Sequence, residues 1–142
     1  MLASNMTVDE SLKLHGFVPD DATLPAIRKM LADEAANERA GNPREEDLAL
    51  LCCVQLFNRG LLEDVLRIWE AKCSGMDLGG YLDVEFLCGA GLNETKRFLA
   101  EQPSQEAAQA LAYINECQVG GQFDDFSPQE HLEHYRRYFE IA

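Results

Sequence analysis

Residues 42–60, NPREEDLALLCCVQLFNRG, contain the most apolar segment of this chain. From Leu48 to Phe57 a single polar residue, Gln55, interrupts ten positions that are otherwise apolar. A helix that is apolar on every side is normally surrounded by protein, and a membrane span needs about 20 apolar residues. The run therefore predicts a buried central helix of an all-α fold.

The ends of this central helix carry recognisable stop and start residues. Asn42 can cap the first turn, Pro43 needs no hydrogen-bond donor there, and Glu45 follows three positions after the cap. Gly60 is a typical residue at a helix C-terminus. These residues predict a helix over about residues 43–58.

A second amphipathic segment follows Gly60 almost directly. Glu63 and Asp64 suit the positive end of a helix dipole. Apolar residues recur at helical spacing after them, namely Leu62, Val65, Leu66 and Trp69. Because the connection is short, we expect this helix to pack antiparallel against the central helix.

The rest of the chain is also predicted to divide into short helices. Thr7-Val8-Asp9-Glu10 is a capping-box pattern, and residues 24–39 carry apolar residues at helical spacing. Further starts follow Pro103 and Ser127. The sequence predicts one domain, residues 1–142, of about six to eight helices packed as antiparallel hairpins, with residues 1–6 frayed.

The segment of residues 82–88 is ambiguous between a strand and a short helix. Its apolar and acidic residues alternate as in a half-buried strand, but Asp83 could equally cap a helix. A lone strand would have no pairing partner in this chain. A short buried helix is therefore favoured.

Two parts of the chain resemble small uncharacterised bacterial helical proteins. The first is Glu63-Asp64-Val65-Leu66 with Trp69-Glu70-Ala71-Lys72, and the second is residues 83–92 followed by Glu94-Thr95-Lys96. The resemblance implies a bacterial source. It carries no family activity and assigns no functional residue.

The charge balance excludes some classes of partner. The net charge of −13 disfavours nucleic acid and anionic membranes, which bind clustered lysine and arginine. Residues 101–142 contain eight acidic residues and only two basic ones, Arg136 and Arg137. This excess either keeps the protein soluble or attracts a basic partner.

Cysteine usage favours a reducing compartment. The five cysteines are an odd number and contain no Cys-x-x-Cys pair, and the first residues lack the basic start of a secretory leader. We therefore expect a cytoplasmic protein. Cys52 and Cys53 lie in the apolar run and should be inert, whereas Cys73 and Cys88 border glycine-rich loops and should be more accessible.

Motifs for cofactors and metals are incomplete. Gly89-Ala90-Gly91 lacks the third glycine of a dinucleotide fingerprint and predicts a close approach of two helices. His131 and His134 are three residues apart and supply at most half of a metal site. No cofactor and no metal site is predicted.

One C-terminal cluster combines acidic and aromatic residues, as protein interfaces do. Its candidate partner-binding residues are Asp124, Asp125, Phe126, Glu130, Glu133 and Tyr135. The alternative is that the aromatic residues belong to the core and the acidic residues form an ordinary solvated face. The sequence leaves both open.

Three functions fit these observations. The first is a non-enzymatic acidic module that binds a basic protein partner, such as a bacterial immunity or inhibitor protein that sequesters a toxin. The second is a small enzyme assembled from scattered residues, with Cys88, His131 and His134 as participants. The third is a self-associating structural subunit. We expect the first.

Overall fold

The computed structural model describes residues 6–142, in which all regular secondary structure is helical and no strand occurs. The all-α prediction is therefore confirmed. These residues form eight α-helices: α1 Val8–His15, α2 Leu24–Ala40, α3 Leu48–Arg59, α4 Val65–Lys72, α5 Met76–Tyr81, α6 Leu92–Glu101, α7 Gln105–Val119 and α8 Pro128–Tyr138. The predicted fraying concerns residues 1–6, of which all but Met6 lie outside the described part.

Helix α3 is the buried centre of the fold, as predicted. Every residue from Leu48 to Phe57 is buried, Gln55 included. Helices α2 and α8 and the 3₁₀ segment Val84–Cys88 pack against it. The Gln55 side chain is accommodated because its Nε2 donates to the Gly16 carbonyl at 2.9 Å, which ties α3 to the end of α1. Within residues 6–142, no helix has both the length and the apolar character needed to cross a membrane.

The predicted start of the central helix near residue 43 is wrong. Helix α3 begins at Leu48, after Asp47 in a left-handed conformation with a φ of 61°. Arg44 turns back instead and donates to Glu38 Oε1 on α2 at 3.1 Å. The Tyr138 hydroxyl donates to Asp47 Oδ2 at 2.9 Å. These tertiary contacts override the local capping pattern of residues 42–45.

The predicted antiparallel pairing of α4 with α3 is also not what the fold shows. Helix α4 packs chiefly against α2 and makes at most slight contact with α3. After Gly60 the chain passes through an extended Leu61 and a 3₁₀ turn, Leu62–Asp64, before α4 begins. Helix α4 has α2 as its main neighbour, so a short connection alone did not determine the neighbour.

The remaining local predictions agree with the structure. The Thr7 hydroxyl accepts from the Glu10 backbone N–H and the Glu10 side chain accepts from the Thr7 N–H, which completes the capping box. Residues 84–88 form a 3₁₀ helix and not a strand. Ser104 and Ser127 cap α7 and α8. Short polar side chains at helix starts were thus reliable wherever no tertiary contact competed.

The glycines at residues 60 and 89 mark a close backbone crossing. A Cβ on Gly89 would lie 2.6 Å from the Phe57 carbonyl oxygen, and Gly60 has a φ of 64°. The end of α3 can therefore touch the end of the 3₁₀ segment Val84–Cys88 only because neither glycine has a side chain. This confirms a close approach at Gly89, whereas a Cβ on Gly91 would have open space around it.

Candidate functional site

A small open cavity lies at the acidic C-terminal part of the chain. It is formed where the 3₁₀ segment Val84–Cys88, the loop after α7 and the start of α8 meet. Its volume is about 280 Å³, and its lining residues are Glu85, Gly121, Gln122, Asp125, Phe126, Ser127, Glu130 and His131. Three of these, Asp125, Phe126 and Glu130, are among the partner-binding residues expected from the sequence. The cavity is therefore the candidate functional site.

Aromatic rings pack behind this cavity. The ring of His131 lies 4.5 Å from that of Phe57 and 4.8 Å from that of Phe86, centroid to centroid. The rings of Tyr135 and Phe126 are 5.1 and 6.0 Å from it. Such tilted and edge-on contacts are favourable for aromatic pairs and hold α8 against α3. The wall that carries His131 is consequently fixed by core packing.

His131 is an unusual core residue because both of its ring nitrogens are buried without a hydrogen-bond partner. Burial lowers the pKa of His131 to about 4. The imidazole is therefore neutral at neutral pH, with one nitrogen able to donate and the other able to accept a hydrogen bond. It places a polar but uncharged group in the wall of the cavity.

Glu85 lies in the same wall, on a different element. Its Oε1 is also buried without a partner. Burial raises the pKa of the Glu85 carboxyl, since the charged form has lost contact with water. Unpartnered buried polar atoms are uncommon in native proteins; both residues line the cavity, but the unpartnered atoms themselves are not accessible to solvent.

The acidic residues expected to bind a partner lie around the cavity mouth and beside it. Asp124, Asp125 and Glu130 are exposed. Glu133 is partly exposed and pairs with Arg136 across 3.4 Å. Phe126 is half-buried. The acidic residues thus form a surface, which we call the acidic face: Asp124, Asp125, Glu130 and Glu133.

Tyr135 requires a correction to this set. It is buried, and its hydroxyl donates to Asp83 Oδ2 at 2.8 Å. Phe123 is buried as well. For these two rings the alternative interpretation holds, because they are part of the core and cannot contact a partner without unpacking α8. Helical spacing alone could not separate a core aromatic residue from an interface aromatic residue.

The histidines do not form a metal site with other side chains. His134 is exposed, whereas His131 packs among aromatic rings. In the described part of the chain, no three histidine, cysteine, aspartate or glutamate side chains are grouped so that they could hold a metal ion. Although the two histidines are only three residues apart on α8, their side chains lie in different environments.

The expected accessibility of Cys88 is wrong. Cys88 is fully buried, and burial raises the pKa of its thiol to about 12. Cys52 and Cys53 are buried as predicted, and burial raises the pKa values of both thiols. Cys73 is exposed. Bordering a glycine pair did not expose Cys88, because the glycines allow the 3₁₀ segment to pack tightly onto α3.

A second acidic cleft was missed by reasoning from the sequence. It lies along residues 42–47, has a volume of about 500 Å³, and presents Glu45, Glu46 and Asp47 next to the exposed ring of Tyr81. The Tyr81 and Tyr138 hydroxyls both donate to the Asp47 carboxylate. The predicted helix over about residues 43–58 placed these acids in or near its first turn, so a cleft at this position was not expected.

Comparison of the chain with protein-family models, with curated proteins and with solved structures gives no match. The function must therefore be inferred from the residues of the chain and their geometry.

Proposed function

We propose that this chain is a non-enzymatic protein-binding module whose acidic face docks a basic region of another protein. The observation that carries this proposal is the exposure of Asp124, Asp125 and Glu130, of which Asp125 and Glu130 line one cavity. Complementary charge across an interface accelerates encounter and selects the partner. An acidic face beside a shaped depression can therefore give both attraction and specificity.

The charges surrounding the acidic face support this assignment. Residues 101–142 hold eight acidic and two basic residues, and Arg136 already pairs with Glu133. Asp124, Asp125 and Glu130 have no ion pair among the described residues. Their charge remains available to an incoming partner.

The partner class follows from the same charges. A net charge of −13 repels nucleic acid and anionic lipid surfaces, so we expect a basic protein. A cytoplasmic bacterial protein of the immunity or inhibitor type, which covers the active site of a toxin, is the specific version that we propose. It is supported by size and charge, and by the free cysteines expected of a reducing compartment.

The enzyme alternative has less support. Its cysteine participant, Cys88, is buried with a raised thiol pKa, and a buried thiol is a poor nucleophile. His131 lacks a hydrogen-bond partner that would orient it as a base. No specific observation favours catalysis over binding.

Affinity capture from extracts of the source cell tests the proposal. The wild type should retain a basic protein at low salt, and a quadruple amide variant of the acidic face, D124N/D125N/E130Q/E133Q, should not. A matched control removes the same charge from exposed residues elsewhere, E70Q/E101Q/E106Q/E116Q. The proposal fails if both variants capture the same proteins equally well.

A further inference from the structure

We propose that helix α1 is a lid that opens about Gly16 while the rest of the fold stays intact, and that its opening uncovers Gln55 of the central helix. This inference concerns a conformational device and does not depend on the acidic face. It is carried by the shallow packing of α1, by a single side-chain latch, by an anchor directly after the hinge, and by like charges facing the start of α1.

The first step concerns how little of α1 is buried. Ser11 is the one buried residue of its eight, whereas every residue of α3 from Leu48 to Phe57 is buried. Leu12 is partly buried against the core, and Leu14 is 64% exposed. Among residues 6–142, α1 makes at most slight contact with any other helix. Segments with few buried apolar contacts open at a lower free energy than the core does.

The second step concerns the latch between α3 and α1. Gln55 Nε2 donates to the Gly16 carbonyl at 2.9 Å and to Ser11 Oγ at 3.4 Å. Two residues at this contact have a buried polar atom without a partner, His15 at Nδ1 and Gln55 at Oε1. An unpaired buried polar group disfavours the closed state, and water supplies a partner when the lid opens. The latch is therefore weak, because one short hydrogen bond is opposed by two unpaired groups.

The third step concerns the hinge and its anchor. Gly16 has a φ of 81°, which residues with a side chain rarely adopt. Directly after it, Phe17 and Pro19 are buried. Asn58 Nδ2 donates to the Phe17 carbonyl at 2.9 Å, and Arg59 Nη1 donates to the Pro19 carbonyl at 3.0 Å. Rotation about the glycine can thus move α1 while the anchored segment remains in place.

The fourth step concerns charge. Asp9, in the first turn of α1, lines an open cavity of about 470 Å³ together with Glu45, Glu46 and Asp47. No basic residue of the described part of the chain lines this cavity. Like charges that face each other across a contact destabilise it. Repulsion therefore favours the open lid, and screening by salt favours the closed one.

Hydrogen exchange of the full chain, followed by ¹H–¹⁵N spectra after transfer to ²H₂O, tests the lid. The backbone amides of residues 11–16 should share one opening equilibrium and be protected at least about a hundredfold less than those of α3. The side-chain amide protons of Gln55 should exchange through the same opening as α1, although Gln55 belongs to α3. Protection that rises gradually along α1 would indicate simple fraying and overturn the lid, and so would protection equal to that of α3.

A variant of the latch tests its role. Gln55→Met removes the hydrogen bond and keeps the length of the side chain. It should accelerate exchange in α1 by about three- to tenfold, the effect of one net hydrogen bond, without a matching acceleration in α3. Gln109→Met, at an exposed position of α7, is the control and should leave exchange in α1 unchanged.

Equal acceleration of α1 and α3 in Gln55→Met would mean that only global unfolding exposes α1, and it would overturn the proposal. Should Gln55→Met fail to fold, exchange of the Gln55 side chain in the wild type still decides. Exchange of that side chain together with the backbone of α3 would show that α1 does not cover it as a lid.

The contribution of charge has its own variants. E45Q/E46Q removes two of the acids that face α1 and should slow exchange in α1 about twofold at low salt. E101Q/E106Q removes the same charge from exposed positions of α6 and α7 and should not. The difference should shrink as salt rises. Equal exchange of α1 in the two variants at low salt would overturn the part of the proposal that assigns opening to repulsion.

Discussion

Arg28 donates two hydrogen bonds to Asp64, from Nε to Oδ1 at 2.7 Å and from Nη2 to Oδ2 at 3.0 Å. Asp64 is buried at the start of α4, and Arg28 lies on α2. The pair therefore joins the two helices whose packing the sequence did not predict. A bidentate guanidinium–carboxylate pair fixes distance and orientation together.

Replacing Arg28 by methionine keeps the aliphatic stem but leaves a buried carboxylate with less compensation. Breaking a buried pair typically costs about 3–5 kcal/mol, and Arg67, 3.0 Å from Asp64, should reduce this to about 2 kcal/mol. Lys29→Met is the control, since Lys29 and Asp33 form an exposed pair and should contribute less than about 0.5 kcal/mol. Urea unfolding of both variants measures the difference, and equal losses would contradict the role of the buried pair.

The sequence predicted elements well and their neighbours less well. Capping residues such as Thr7 and Ser127 act locally, so their helix starts could be predicted from spacing alone. The start of α3 and the position of α4 depend on contacts between distant residues, Asp47 with Tyr138 and Arg28 with Asp64. No periodicity in the chain reports such contacts, which is why both predictions failed.

Gly89 should not tolerate a side chain. Its φ of −61° suits any residue, so the cost of Gly89→Ala is steric, from a Cβ placed 2.6 Å from the Phe57 carbonyl oxygen. We expect a loss of about 3 kcal/mol in the free energy of unfolding, the upper end for overpacking.

Gly80→Ala is the matched control for this substitution. Gly80 lies within α5 with open space around the added methyl group, and alanine is favoured over glycine in helices by up to about 1 kcal/mol. Gly80→Ala should therefore be neutral or stabilising in thermal unfolding. A Gly89→Ala variant as stable as the wild type would show that the close crossing at residues 60 and 89 is not required.

Leu51 tests whether α3 is the energetic centre of the fold. It is fully buried, and Leu51→Ala should cost about 2–5 kcal/mol because it leaves a cavity in the core. Leu14, with 64% of its surface exposed, provides the control, and Leu14→Ala should change stability by less than about 0.5 kcal/mol. Chemical denaturation of the two variants should separate them clearly; similar midpoints would mean that the core lies elsewhere.

The candidate site was partly predictable. Asp125, Phe126 and Glu130 were singled out from the sequence because acids and aromatics coincide there, and all three line the cavity. Glu85 was missed, since it comes from a distant segment and only the close packing of residues 84–88 brings it to α8. Its alternation with apolar residues marked it as a polar position but gave no indication of its surroundings.

His131 predicts a specific pH dependence of stability. Its pKa is about 4 in the folded protein against 6.5 when unperturbed, so the unfolded chain binds the proton more readily. The free energy of unfolding is therefore unaffected by this group above about pH 6.5, and it decreases as the pH falls from 6.5 toward 4. At about pH 5 the loss should reach roughly 2 kcal/mol.

His131→Phe keeps an aromatic ring and removes the titration. Its free energy of unfolding should therefore fall less steeply than that of the wild type between about pH 7 and pH 5. The raised pKa values of Glu34 and Glu85 act in the opposite direction in both proteins and cancel in the comparison. His134→Phe, at an exposed position on the same helix, is the matched control for replacing a histidine of α8 by phenylalanine. Parallel curves for wild type and His131→Phe would exclude His131 as the source.

The acidic face predicts a salt-dependent association rate. Changing Asp124, Asp125, Glu130 and Glu133 to their amides should slow association with a basic partner, for which octa-arginine can stand in. The defect should shrink as salt rises, because screening acts over about 8 Å at physiological ionic strength. Folding should hardly change, since exposed charges contribute little to stability.

Stopped-flow kinetics at low and high salt measure this difference directly. The control variant E70Q/E101Q/E106Q/E116Q has the same net charge as the variant of the acidic face. Slowing of association that occurs equally in both variants therefore results from the lower net charge of the whole molecule. Additional slowing in the variant of the acidic face reports the position of the charge. If the two variants associate equally fast at low salt, the acidic face has no steering role, and its charge then serves solubility alone.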